Sequence, residues 1–305
     1  MNMDFQDKVS SEIYKAKMEE NKKKKIYEKI VEIFFLLCAC AAIISVIVIT
    51  IFIFAKGGPA IFKIGILDFL LGKEWMPSAD VYGIFPMIVA SIYATLGAIL
   101  LGVPIGVLTA VFLAEIAPDW LSKLVRPAVE LLAGIPSVVY GFFGLVVIVP
   151  IIDDVFGGGG NSLLAAIIIL SVMILPTVIN ISETSIRAVP REYKEGSLAV
   201  GASHIQTIFK VVLPAAKSGI LTAIVLGIGR AIGETMAVIL VAGNTTLLPQ
   251  SLLDRVRPMT ANIAIEMSYA FGLHQEALFA TGVILFIFII ILNIFLNIFI
   301  HKAGE

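Results

Sequence analysis

Glu195-Gly196-Ser197-Leu198-Ala199-Val200-Gly201, followed nine residues later by Val211-Val212-Leu213-Pro214, is a polar interruption between long apolar segments. A glycine six residues after a glutamate, then branched aliphatics, leucine and proline, predicts two short helices that meet at Gly201. Glycine accepts the backbone of such a turn at little steric cost, and Pro214 suits the start of the next span, where its missing N–H costs nothing. The apolar flanks make this stretch a hinge loop, about residues 190–214, in a membrane protein.

Composition agrees. The 305 residues are 59% hydrophobic and 15% charged, with a mean hydropathy of +0.99, far on the apolar side of soluble domains. A net charge of -1 gives no reason to expect nucleic-acid binding. The only cysteines, Cys38 and Cys40, fall at i and i+2 in one apolar run, on different helix faces, and read as small apolar residues.

Outward from the hinge, the uncharged runs predict six helical spans and an all-α, polytopic fold. Residues 1–29, with eight lysines, form a tail, and residues 30–305 form one six-span domain. Residues 33–55 are 23 uncharged residues, enough to cross roughly 30 Å of hydrocarbon at about 1.5 Å per residue. Residues 56–83, with Gly57-Gly58-Pro59 and the interfacial aromatics Trp75 and Tyr82, read as a loop. The second span falls within residues 84–114, with tilt or a kink at Pro104 absorbing its excess length. A short connection over 115–127 leads to a third span at about 131–152, which Gly134-Ile135-Pro136 is expected to break near one end. The fourth span covers 163–181, the fifth 218–241 and the sixth 277–300. Residues 157–160 are all glycine and read as a flexible loop. Between 254 and 276, Met259, Ile263, Met267 and Ala270 keep helical spacing, which fits a short helix or a simple loop cap. Six spans place both termini on one side; that side carries sixteen Lys and Arg and the other five. The positive-inside rule puts the hinge in the cytoplasm.

One segment offends the membrane. Gly229-Arg230-Ala231-Ile232-Gly233-Glu234-Thr235-Met236-Ala237-Val238 places two charges within the fifth span, where an arginine costs about 2.5–3.5 kcal/mol on insertion scales. At i and i+4, Arg230 and Glu234 share a helix face and are expected to pair. Two readings fit them: a structural ion bridge, or a substrate pathway in which the planar guanidinium takes an oxyanion through paired hydrogen bonds while Glu234 holds it between substrates. Gly229 and Gly233 form G-x-x-x-G, a helix-packing pattern.

These stretches resemble known families. The hinge is similar to the E-A-A-x3-G-x9-I-x-L-P loop of ABC-importer permeases, with Gly196-Ser197 for Ala-Ala and Val211 for Ile. Residues 229–238 resemble the G-R-A-x-G-E-T-M-A-V segment of phosphate-importer permeases, and Leu132-Ala133-Gly134-Ile135-Pro136-Ser137-Val138-Val139-Tyr140-Gly141-Phe142 resembles another stretch of the same family, the PstC type. The resemblance implies a type I ABC-importer permease fold in a prokaryotic inner membrane, with Glu195, Gly196, Ser197, Gly201, Leu213 and Pro214 coupling to an ATPase. It implies as partners a PstA-type second permease, two PstB-type ATPase subunits, a PstS-type extracytoplasmic phosphate-binding protein, phosphate and membrane lipid. Sulfate and molybdate permeases share the loop and an R-A-x-G-E core, but Thr-Met-Ala-Val favours phosphate.

No cofactor and no enzymatic activity is expected of the chain itself. A P-loop, G-x-x-x-x-G-K-[ST], does not occur in it, so ATP hydrolysis falls to another polypeptide. The histidines His204, His274 and His301 lie outside or at the edges of the spans, which argues against an intramembrane hydrolase or metal set. A passive channel has no use for an ATPase-docking loop.

Overall fold

The computed structural model describes the backbone of residues 3–304 and the side chains of residues 24, 25, 27–295 and 298. Most of the lysine-rich tail therefore lies outside the described side chains. The chain divides into two compact units, one ending at Ala55 and the other beginning at Lys56.

The first helix, α1 (Met3–Ile64), contains the apolar run of the first span and continues through Gly57-Gly58-Pro59, where the sequence suggests a loop. Tertiary packing overrides the local breakers. A Cβ on Gly57 would lie 2.6 Å from the backbone of Phe279 and Ala280, so the glycine permits contact with the last span rather than a turn. A short α2 (Ile66–Leu71) leads to a hairpin of β1 (Trp75–Met76) and β2 (Val81–Tyr82), antiparallel with Trp75 opposite Tyr82. Both aromatics are buried, against the expectation of interfacial residues.

Next, α3 (Phe85–Val111) runs through Pro104 and ends in a π-turn, Phe112–Ile116. The expected connection is instead an amphipathic helix, α4 (Asp119–Gly134), which buries Ser122 and Val129 and leaves Trp120, Leu124 and Leu131 exposed. It ends at the expected Gly134-Ile135-Pro136 break. The third span consequently begins later, as α5 (Ser137–Phe143), a π-turn (Gly144–Ile148) and α6 (Val149–Phe156). Residues 157–160 form a defined turn: all four glycines have positive φ, and the Gly159 N–H donates to Asp153 Oδ1 at 2.7 Å.

Ser162 caps α7 (Leu163–Arg187), the most buried span, by accepting from the Ala165 N–H. It packs along α3 at small residues, and a Cβ on Gly102 would fall 2.7 Å from Ile174. The hinge follows as α8 (Arg191–Ala199), α9 (His204–Thr207), a π-turn (Ile208–Val212) and α10 (Leu213–Ala215). After a 69° bend comes α11 (Lys217–Gly233). Pro214 thus closes the hinge helix and does not open the span. The fifth span is also broken: α11 stops at Gly233, Glu234 and Thr235 are non-helical, and α12 (Met236–Val241) resumes. The 254–276 segment contains α13 (Met259–Glu266), whose Met259, Ala261, Asn262 and Glu266 are buried, and α14 (Leu273–Gly304) is the sixth span.

Candidate coupling loop and anion pathway

The hinge is built from two reciprocal capping devices. At the end of α8, the Gly201 N–H donates to Leu198 O (2.9 Å) and the Ala202 N–H to Ser197 O (3.2 Å), a Schellman closure. It requires the left-handed backbone that Gly201 adopts at φ 89°. Ser203 then caps α9: its Oγ accepts from the Gln206 N–H, while Gln206 Oε1 accepts from the Ser203 N–H, which satisfies two otherwise unpaired donors. Ser197 and Thr207 join the two helices through their hydroxyls at 3.0 Å. The serine that departs from the Ala-Ala pattern is therefore a cross-brace, which the loop spacing gives no reason to expect. Glu195 and Gly196 are exposed, and Leu213 is half-buried beside the exposed Pro214.

Beneath the hinge, Ile208 and Val212 of its π-turn pack into an apolar cluster with Ala110, Val111, Ile186 and Val189. Ionic contacts surround that cluster. Glu183 Oε1 forms an ion pair with Arg126 Nη2 at 2.6 Å and accepts a hydrogen bond from Arg187 Nε at 2.9 Å, and Lys194 of α8 pairs with Glu115.

In the fifth span, Arg230 and Glu234 do not pair. The break after Gly233 removes the i, i+4 geometry that the pairing needs. Glu234 instead folds forward, its Oε1 accepting from the Ala237 N–H at 3.0 Å and so capping α12, and its backbone oxygen accepts from Thr260 Oγ1 at 3.0 Å. It borders a narrow crevice with Ser91, Thr95 and Thr260. Arg230 is half-buried and donates from Nη1 to Thr177 Oγ1 at 3.5 Å, the limit of a hydrogen bond. Among the described residues it forms no ion pair. Gly229 and Gly233 are exposed, and apart from the adjoining backbone of their own helix no described atom of the chain lies within 4 Å of a Cβ built at either, so they pack against no other described helix of this chain.

At the other end of the spans, Glu266 collects three donors that sequence reading misses: Trp75 Nε1 (2.8 Å), Arg257 Nη1 (2.6 Å) and His274 Nε2 (2.8 Å). The residues are too far apart in the chain to leave a local signal. Beside them, burial and the hydrogen bond to the Asp80 carboxylate push the Tyr82 phenol up to about 12. Burial and the negative charge of Glu266 raise the Tyr269 phenol, with Arg257 opposing.

A capped two-helix hinge joined to a broken span carrying an arginine fits a membrane transport component. The chain belongs to the binding-protein-dependent transport system inner membrane component family, which matches residues 102–304. It is 39% identical over 267 residues to the probable ABC transporter permease protein YqgH of Bacillus subtilis, covering 84% of this chain and 86% of that one. It is 35% identical over 240 residues to the phosphate transport system permease protein PstC of Pasteurella multocida, covering 72% and 75%. The fold matches an inward-facing structure of the MetNI methionine ABC transporter at TM-score 0.56 and 20% identity, over 73% of this chain and 95% of that one. A crystal structure of an amino acid ABC transporter with histidines gives 0.52 and 21%, over 71% and 92%. The architecture is that of a type I ABC-importer permease.

Proposed function

We propose that the chain is one of two permeases in an ATP-driven importer of inorganic phosphate. The observation that carries this reading is Arg230, a half-buried guanidinium inside a broken span with no carboxylate partner among the described residues. Phosphate near neutral pH carries one to two negative charges, and its entry into a partly dehydrated path is unfavourable without positive charge. The phosphate-transport names of relatives such as that from Pasteurella multocida support phosphate over sulfate or molybdate.

In this reading Glu195, Gly196, Ser197, Gly201, Leu213 and Pro214 shape the loop that seats on an ATPase subunit, and both termini face the cytoplasm, in keeping with the basic residues. Two ATPase subunits hydrolyse ATP, this chain binds no cofactor, and an extracytoplasmic binding protein delivers the anion. The open face at Gly229 and Gly233 receives the second permease, which adds its own basic residue to the cavity. Arg230 takes the anion transiently, while Glu234 keeps the span broken beside the polar crevice.

Uptake by the reconstituted transporter tests this. Arg230→Gln abolishes phosphate uptake while the complex still assembles with its ATPases, and Arg230→Lys, which keeps the charge but loses the fork, is strongly impaired. Normal uptake by Arg230→Gln at matched expression removes the pathway role. Stimulation of ATP hydrolysis by binding protein loaded with sulfate or molybdate, and not with phosphate, reassigns the anion.

A further inference from the structure

The chain leaves the hinge for the fifth span through a 69° bend at Ala216, which is a poor lever for a push arriving at the loop. A lateral route is better built. The π-turn that ends α3, Phe112–Ile116, is contacted from three other elements. From α8, Lys194 pairs with Glu115, whose side chain is only 5% exposed. From α7, Arg187 Nη2 donates to the Leu113 carbonyl at 2.7 Å, and from α4, Ser122 Oγ donates to the same oxygen at 3.4 Å. A wide turn of this kind loosens the ordinary helical ladder, which leaves a carbonyl such as that of Leu113 free for outside donors. Glu183, with its side chain 8% exposed, fixes Arg187 and Arg126 at once, tying α7 to α4.

Two of the helices so tied, α3 and α7, border the anion pathway. Ser91 and Thr95, beside Glu234, belong to α3, and Thr177, the partner of Arg230, belongs to α7.

We propose that Glu115 and Glu183 are positioning residues: Glu115 clamps the docking loop to the turn that ends α3 through Lys194, and Glu183 braces that turn against α7 and α4 through Arg187 and Arg126, so that ATPase movement reaches the pathway across this clamp rather than along the chain. This rests on the ATPase-coupling reading of the hinge given above. Neither carboxylate touches the anion or the ATPase in this scheme; each acts through the basic side chain it holds.

The test uses the complete transporter in lipid nanodiscs, with ATP hydrolysis measured with and without phosphate-loaded binding protein. Glu115→Gln and Glu183→Gln keep a full complement of ATPase subunits and basal hydrolysis within about twofold of the parent, while stimulation falls by about tenfold or more. The exchange Glu115→Lys with Lys194→Glu restores at least about half of the stimulation that either change alone removes. Retained stimulation in the single variants overturns the proposal, as does a proportional loss of basal and stimulated rates, which a merely structural role produces. If Glu183→Gln does not assemble, the Glu115–Lys194 exchange decides alone. If phosphate-loaded protein fails to stimulate the parent, the phosphate reading falls. The clamp is then judged by spin labels on Leu198→Cys and Leu101→Cys, after replacement of Cys38 and Cys40: an ATP-driven distance change that survives unaltered in Glu115→Gln overturns it.

Discussion

Gly201 and Gly196 stand five positions apart in one loop and answer to opposite rules. At φ 89° Gly201 occupies the left-handed region, and a Cβ there meets no neighbour, so the whole penalty of substitution is conformational. Gly201→Ala should therefore cost about 1–2 kcal/mol and Gly201→Val more, because branching at Cβ is least tolerated at positive φ. Gly196 lies inside α8, where an added Cβ would also have nothing within 4 Å, and Gly196→Ala should stabilise the helix by about 1 kcal/mol. Pull-down of the ATPase from membranes checks both: Gly201→Val loses it and Gly196→Ala retains it. Equal retention by the two variants removes the hinge interpretation. Glu195→Arg, which reverses an exposed charge and leaves the turn intact, should show a smaller loss than Gly201→Val.

The β1–β2 hairpin is an element whose stability should depend on alkaline pH through one phenol. Tyr82 has a folded pKa pushed up to about 12, above the ordinary tyrosine value. Its contribution is complete below the unfolded value of about 10 and is lost as pH rises through the folded one. Hydrogen exchange at the hairpin should accelerate across that window in the parent, and Tyr82→Phe should flatten the dependence; an unchanged profile in the variant excludes the phenol as its source. This element is hidden from sequence reading because two-residue strands are too short to show a period, and Trp75 and Tyr82 look alike at a membrane interface and in a buried corner. Elements with long patterns are legible. The uncharged runs locate the spans, and Gly134-Ile135-Pro136 locates a break. The break at Glu234 is not legible, since Gly233 beside it reads with Gly229 as a packing pattern and no proline marks it; a local cap from the Ala237 N–H and a tertiary contact from Thr260 hold Glu234 out of the helix. Similarly, the charges of Asp119, Lys123, Arg126 and Glu130 disguise α4 as a connection, although Ser122, Val125, Val129 and Leu132 carry a helical stripe. The two helices about Gly201 can be read from the chain, yet their cross-brace and the carboxylates beneath them need coordinates, because Glu183, Arg126 and Glu115 come from separate elements.

For the molecule as a whole, Glu266 is the residue on which the end opposite the hinge converges. Glu266→Ala leaves the donors of Trp75, Arg257 and His274 without their acceptor, and removal of one member of a buried charge pair costs about 3–5 kcal/mol. A lowered Tm of the purified protein, with Glu266→Gln intermediate, is the expected outcome; a Tm equal to the parent's would show that water replaces the carboxylate. The same convergence also sets a clock on biosynthesis. Trp75 and Glu266 are 191 positions apart, and at about 5–20 residues per second a ribosome needs on the order of ten to forty seconds to make the chain between them. Until then the indole N–H lacks this acceptor, and His274 follows later still, in the first turn of α14. The hairpin is among the first parts translated after the first span and closes only late, so its burial reports that synthesis has passed Glu266 and His274.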